Sequence, residues 1–320
     1  MLKRPFFWVI VCVTIVFAIL PLATDNADLR ESLILVAVAI ALASNVNLMI
    51  GYTGYVNFGN VVAYGLGGYI GLYLTTVTGW PLIASAITAG IVVSAFTLLF
   101  GISILRLRGA YFALATIGIL EAVRAFISNF DPWGRAAGMY VSMSAYQPLG
   151  GPMRAVWITY LLVVAVMGAS LVLSLVIKRS KFGLGLFAIR ENEDAAVVLG
   201  VNATLYKAVI YSVSAFLPAV AGALIYFKNG MIDPSGAFDL SFSTEIIVMM
   251  LLGGQGTVTG AAIGAALYEE LRGYLLTLPG LSNFHLVITG GLLLIIILFA
   301  PEGLIGGFYR ILPSARRVLE

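Results

Sequence analysis

Apolar runs of membrane-spanning length recur along this chain, separated by short polar punctuation. They cover about Phe6–Leu22, Leu33–Ile50, Val61–Thr76, Leu82–Leu105, Gly109–Ser128, Ala155–Ile177, Leu205–Phe227 and Phe284–Ala300. Roughly twenty residues of helix cross the ~30 Å apolar layer of a bilayer. The pattern therefore predicts an all-α, polytopic helical bundle of about eight full spans, forming one domain over residues 1–320. Lys3 and Arg4 precede the first run, which is long for a secretory signal and lacks an A-x-A cleavage site, so it reads as an uncleaved span.

One region breaks the rhythm. Phe242–Leu252 is followed by Gly253-Gly254-Gln255-Gly256 and then by Val258–Leu278. At 1.5 Å per residue, the first arm covers only about half of the ~30 Å layer. Charge decides how to treat it. With the N-terminus inside and eight full crossings, the cytoplasmic side collects Lys3, Arg4, Arg106, Arg108, Lys178, Arg179, Lys181, Arg190, Lys207, Arg310, Arg316 and Arg317. Basic residues favour that side. The count works only if this region enters and leaves on the external side, so a re-entrant hairpin or broken helix is expected near Gly253–Gly256, with both termini cytoplasmic. Gly256, Gly260 and Gly264 form a small-xxx-small ridge suited to close helix packing.

The other exception is Lys178–Asn202, the densest charged stretch. Phe182, Leu186 and Ile189, followed by Ala196, Val197 and Leu199, recur at helical spacing. The reading is a short amphipathic helix in which Arg190 and Asp194 pair at i,i+4 and Gly200 supplies the left-handed residue after the end. A solvated connector has no need of an apolar stripe; the stripe favours a helix that docks on a soluble partner and passes force into the membrane part.

Several polar residues lie within or beside the spans. Asn45, Asn47, Asn57, Asn60 and Tyr64 fit a polar path for solute, and equally fit helix-to-helix hydrogen bonding. Glu121 and Arg124, three apart, read first as a mutually neutralising structural pair. The glycines between Gly51 and Gly71 allow close helix contact or a helix break. Asp25–Glu31 and Lys228–Asp239 read as polar links, Pro218 as a kink, and Asn129–Arg154 as an external loop with room for a short surface helix.

Only 10% of the 320 residues are charged and 61% are hydrophobic, which excludes a soluble domain with an anchor. The sequence holds no G-x-x-x-x-G-K-[ST], so ATP hydrolysis on this chain is not expected. The lone Cys12 and lone His285 support neither a metal cluster nor a hydrolase triad. Asn202-Ala203-Thr204 matches a glycosylation sequon but falls on the cytoplasmic side of the expected topology.

SKFGLGLFAIRENEDAAVVLGVN, followed by Tyr206-Lys207, closely resembles the cytoplasmic loop of bacterial and archaeal branched-chain amino acid ABC transporter permeases. NLMIGYTGYVNFGN, LRLRGAYFALATIG and MMLLGGQGTVTGAAIGAAL are similar to further blocks of that family, in the same order, and the chain looks most like the LivM-type subunit. The loop also fits the permease pattern E-A-A-x-x-x-G through Asp194, Ala195, Ala196 and Gly200, with Asp in place of Glu. Asn60 stands where the family commonly has His, and Pro132–Met139 lacks its usual Thr-Gly-Gly start.

The resemblance implies a coupling loop over 178–207 that docks on an ATPase, with Arg190, Glu191, Asp194, Ala195, Ala196 and Gly200 in that role. It implies a complex with a paired permease, two ATPase subunits and an external solute-binding protein in the inner membrane, with ATP and Mg held on the partner subunits and no cofactor on this chain. Alternating access for leucine, isoleucine and valine is the expected function. A permease for urea, short amides or other amino acids is the alternative within the class. An ion-coupled secondary transporter is the rival from another class, with Glu121 as its one clear carboxylate.

Overall fold

A computed structural model describes residues 5–24, 26–277 and 303–311, with a few isolated positions between the last two. Most of the expected last span Phe284–Ala300, including His285, and the terminal Lys3, Arg4, Arg316 and Arg317 lie outside the described residues, as does Asp25. The described chain is helical almost throughout: α1 (Pro5–Thr24), α2 (Ala27–Thr53), α3 (Asn60–Thr76), α4 (Leu82–Ile104), α5 (Ala110–Ser128), α6 (Pro152–Lys178), α7 (Lys181–Glu191), α8 (Glu193–Val198), α9 (Ala203–Asn229), α10 (Pro234–Ala237), α11 (Leu240–Gly253), α12 (Val258–Thr277) and α13 (Gly303–Ile311). Among the described residues, seven helical stretches are long and apolar enough to cross a membrane: Phe6–Thr24, α2, α4, α5, α6, α9 and Pro234–Gly253. α3, expected as a full span, is 17 residues long and is not one of them, whereas the arm expected to be half-length is. This is a multi-pass membrane protein.

The boundaries follow local chemistry. Asn26 caps α2 by accepting from the amides of Asp28 and Leu29 at 2.9 and 3.2 Å. The helix therefore starts at Ala27, and most of the link expected over Asp25–Glu31 is already helical. Gly54, at φ +77°, ends α2 in the left-handed conformation that glycine tolerates. α9 continues through Pro218 to Asn229.

The glycines of α3 do what their density suggested. α3 and α9 run in the same direction with their main chains in contact: a Cβ at Gly67 would collide with the backbone of Ala219, one at Gly71 with Ala223, and one at Gly222 with the carbonyl of Tyr64. α11 and α12 form an antiparallel hairpin on the same principle. Gly253 packs on Gly260, and Gly264 on Met249 and Gly253. Gly256 departs from the expected ridge. At φ +80° it belongs to the turn between the two helices, not to the face of α12.

Loops divide into two groups at opposite ends of the bundle. At one end, Met139–Tyr140 and Met231–Ile232 pair as a two-residue antiparallel ladder, β1 and β2. Three short 3-10 turns flank β1, at Asp131–Trp133, Arg135–Ala137 and Met143–Leu149, within the loop expected over Asn129–Arg154. The link Lys228–Asp239 is less polar in place than in sequence. After β2 it descends into the bundle, with Ile232, Ala237 and Phe238 buried and Phe238 against Gly65 and stacked on Tyr69. At the other end sit the α2–α3 linker, Arg108, the α7–α8 segment and the glycine turn, and α13 begins there with Gly303 packed on Gly254.

Candidate coupling face and polar cavity

The charged stretch folds as two helices, not one. Asn192 leaves helical geometry at φ −159° and ψ 106°, and its side chain accepts from the amide of Ala195 at 3.0 Å, so it ends α7 and caps α8. The break overturns the expected Arg190–Asp194 pair. Arg190 turns inward to the carbonyl of Gly51 at 2.6 Å, while Asp194 meets Arg108 at 2.9 Å.

The apolar stripe also has a different destination from the one its pattern suggested. Leu186 and Ile189 are buried in the protein's own core, and Phe182 stacks on Tyr206 at 4.8 Å. α7 thus spends its stripe on the bundle, as most amphipathic helices do. The apolar surface left for a partner is Leu184 on α7 and, most prominently, the tip of α8, where Val198 and Leu199 are 86% and 83% exposed. Glu191, Asp194, Ala195 and Gly200 lie exposed around that tip, and Gly200 takes φ +91°. Ala196 is buried beneath α8, beside Ile189 and Ala203.

Under α8 lies a charged hub that sequence reading missed. Lys207, 1% exposed, donates to Glu193 at 2.8 Å and to the Tyr55 hydroxyl at 2.9 Å, and its ammonium also sits 4.3 Å from the centre of the Tyr55 ring. The Tyr55 hydroxyl donates to the second oxygen of Glu193. Arg108 approaches Glu193 at 3.6 Å. Burial works to raise the Glu193 pKa, but the hydrogen bonds from Lys207 and Tyr55 and the nearby cations outweigh it, leaving the carboxyl below its ordinary value. The same partners act oppositely on Tyr55: burial first, then the Glu193 carboxylate, push its hydroxyl well up. Through this hub α8 is tied to the α2–α3 linker, to the start of α9 and to the residue pair before α5. Lys207 was the available signal: a lysine one turn inside an otherwise apolar helix needs a partner.

The asparagines divide by role. Asn47 clamps the glycine turn, donating to the carbonyl of Thr257 at 2.9 Å and accepting from the amide of Gly256 at 2.8 Å. Gln255 reaches the carbonyl of Ile50 at 3.3 Å, and Gly253 and Gly254 are packed between α12 and Gly303. Tyr64 is sealed between Tyr226 and Phe242, at 5.3 and 5.9 Å between ring centres. Asn45, Asn57 and Asn60 converge, with Thr97, Tyr211 and Ser214, on a cavity of about 30 Å³. That is room for a water or two rather than for an amino acid. Asn45 bonds Ser170 at 2.9 Å and Asn60 bonds Ser243 at 2.8 Å. The Oδ1 atoms of both are buried without a hydrogen-bond partner among the described residues.

Carboxylates in the spans also fall differently from expectation. Glu121, at 53% side-chain exposure, is not buried. Among the described residues the buried ones are Glu245 and Glu269, bridged by Arg272 at 3.6 and 3.4 Å between α11 and α12. Glu121 and Arg124 do meet, at 3.6 Å.

Comparison with known proteins places this geometry in context. A family model described as the permease component of branched-chain amino acid transport systems matches residues 29–297. The high-affinity branched-chain amino acid permease protein LivM of Salmonella typhimurium is 25% identical over 289 residues, which cover 83% of this chain and 67% of that one. BraD of Pseudomonas aeruginosa, a permease protein of the same kind of system, is 26% identical over 83% of this chain and 90% of its own. The ribose import permease RbsC of Bacillus subtilis is 29% identical over 40% of this chain and 41% of its own. No solved structure matches.

Proposed function

Because the chain belongs to the permease family of branched-chain amino acid transport systems, we propose that it is the membrane subunit of an ABC importer for leucine, isoleucine and valine. It works by alternating access and carries no ATPase site of its own. A paired permease, two ATPase subunits that hold ATP and Mg, and an external solute-binding protein complete the machine. The observation that carries the coupling role is the tip of α8: Val198 and Leu199 stand clear of the bundle, while the same helix is wired through Glu193 and Asp194 to Lys207, Tyr55 and Arg108. Such a tip fits a cleft in a soluble partner. When the cleft moves, the buried Lys207–Glu193 pair and its Tyr55 bond tie α8 to α9 and the α2–α3 linker, which follow, while the exposed Arg108–Asp194 pair adds a looser link to the start of α5.

Reconstitution tests the reading. Vesicles holding all subunits take up leucine only with ATP, and Leu199→Asp lowers both ATPase attachment and uptake. Uptake that persists without the ATPases, driven by a proton or sodium gradient, overturns it. Competition among leucine, urea, short amides and other amino acids identifies the solute.

A further inference from the structure

α5 is held to the bundle along one face only. Phe112, Thr116, Leu120 and Ile127 are buried, and the Thr116 hydroxyl accepts from the amide of Phe58 at 3.1 Å. The opposite face carries Tyr111, Leu114, Gly118, Glu121 and Ala125, all exposed. On the side toward α4, an apolar cleft of about 440 Å³ separates the two helices.

Glu121 is the twelfth residue of this 19-residue helix. It therefore lies about 16 Å from the Ala110 end and about 10 Å from the Ser128 end, near the middle of a span. A carboxylate facing lipid at that depth is strongly disfavoured. Arg124, nearer the end, can extend toward the interface, but glutamate is too short to do so. The ion pair lessens the penalty without removing it, since both partners remain about half exposed. The asparagine cavity offers no competing route in this conformation, being too small for an amino acid.

We propose that the outer face of α5 lines the solute path, and that Glu121 and Arg124 form a transit site for a zwitterion, the carboxylate meeting its ammonium and the guanidinium its carboxylate. The site rests on the importer reading and on the paired permease closing the far wall. Two opposite charges on one helix face match the two charges that every free amino acid carries. Gly118 and Ala125 beside Glu121 keep the wall low; a Cβ at Gly118 would meet nothing within 4 Å. The pair holds itself together between solutes and opens to exchange partners, so the site stays neutral throughout.

The test uses the complete transporter in vesicles, with Cys12→Ser and Gly118→Cys in this chain. A charged, water-borne methanethiosulfonate labels Cys at 118, and leucine at ten times its half-saturating concentration slows labelling by about tenfold. Glu121→Gln or Arg124→Gln raises the leucine concentration needed for half-protection by roughly tenfold, the loss expected for one charge-assisted hydrogen bond. A purely structural pair leaves protection unchanged in both variants, and that result overturns the proposal. So does reaction with lipid-soluble maleimide alone, which places the face in lipid, or no reaction with either reagent, which places it against protein. ATP-driven leucine uptake in the same vesicles reports on the importer reading separately: uptake with unprotected labelling removes only the α5 site.

Discussion

The guanidinium of Arg190 donates to the carbonyl oxygen of Gly51 across 2.6 Å, although 139 residues separate them. That carbonyl belongs to the last turn of α2, where unsatisfied acceptors concentrate partial negative charge. Gly256 is close enough that a Cβ on it would lie 2.8 Å from the same guanidinium. One side chain thus joins α7, the end of α2 and the glycine turn.

Arg190→Lys keeps the charge but loses the planar fork. The variant is expected to bind the ATPase normally and to transport fewer solutes per ATP hydrolysed. An unchanged ratio of uptake to hydrolysis would remove Arg190 from the linkage.

Glu193→Gln strips a fully buried ammonium of its counter-charge. The expected loss is roughly 3 kcal/mol, as for breaking one side of a buried pair. Adding Lys207→Met should recover much of it, because the orphaned charge is then gone. Thermal unfolding of the two variants in detergent measures the difference; equal instability of both would mean the hub contributes little.

Acid acts on the same hub. Glu193 has its pKa below the ordinary value of 4.5, so its stabilisation is present above that pH and is lost as pH falls through the lowered value. Wild-type protein should lose stability below about pH 4.5 more steeply than Lys207→Met, in which Glu193 has lost its closest cation. Unfolding curves over that range decide it.

Gly67→Ala and Gly118→Ala make the same chemical change in different surroundings. At Gly67 the added methyl meets the backbone of Ala219, and separating α3 from α9 costs roughly 1–3 kcal/mol. At Gly118 the space is open, and alanine should hold level or gain about 1 kcal/mol from helix propensity. Equal effects at the two sites would show that α3 and α9 are less tightly joined than their main-chain contact indicates.

Legibility varied with the distance over which each feature is determined. Helices α4, α5 and α9 follow from apolar runs bounded by local stop signals, and the glycines mark the turn between α11 and α12. The half-length arm expected before that turn does not hold, since the stretch leading into it begins at Pro234 and is long enough to cross. The split at Asn192 was written in a capping residue three before Ala195, but the longer apolar period masked it. The direction of Arg190 was not readable, since its partner is a backbone carbonyl with no side-chain signature. Lys207 and Glu193 are only fourteen residues apart, yet Tyr55 and Arg108 reach them from distant parts of the chain. Of the six residues assigned to ATPase docking, Glu191, Asp194, Ala195 and Gly200 are exposed and remain a proposal with Val198 and Leu199 as its most prominent surface, whereas Arg190 turns inward and Ala196 is buried.

The seam between α3 and α9 has a consequence for how this machine can work. With main chain pressed on main chain, neither helix can slide past the other without a collision at every glycine, so the two form a fixed spar. Any rearrangement of the bundle must therefore take place around that spar, at elements such as α5 that are fastened along one edge only.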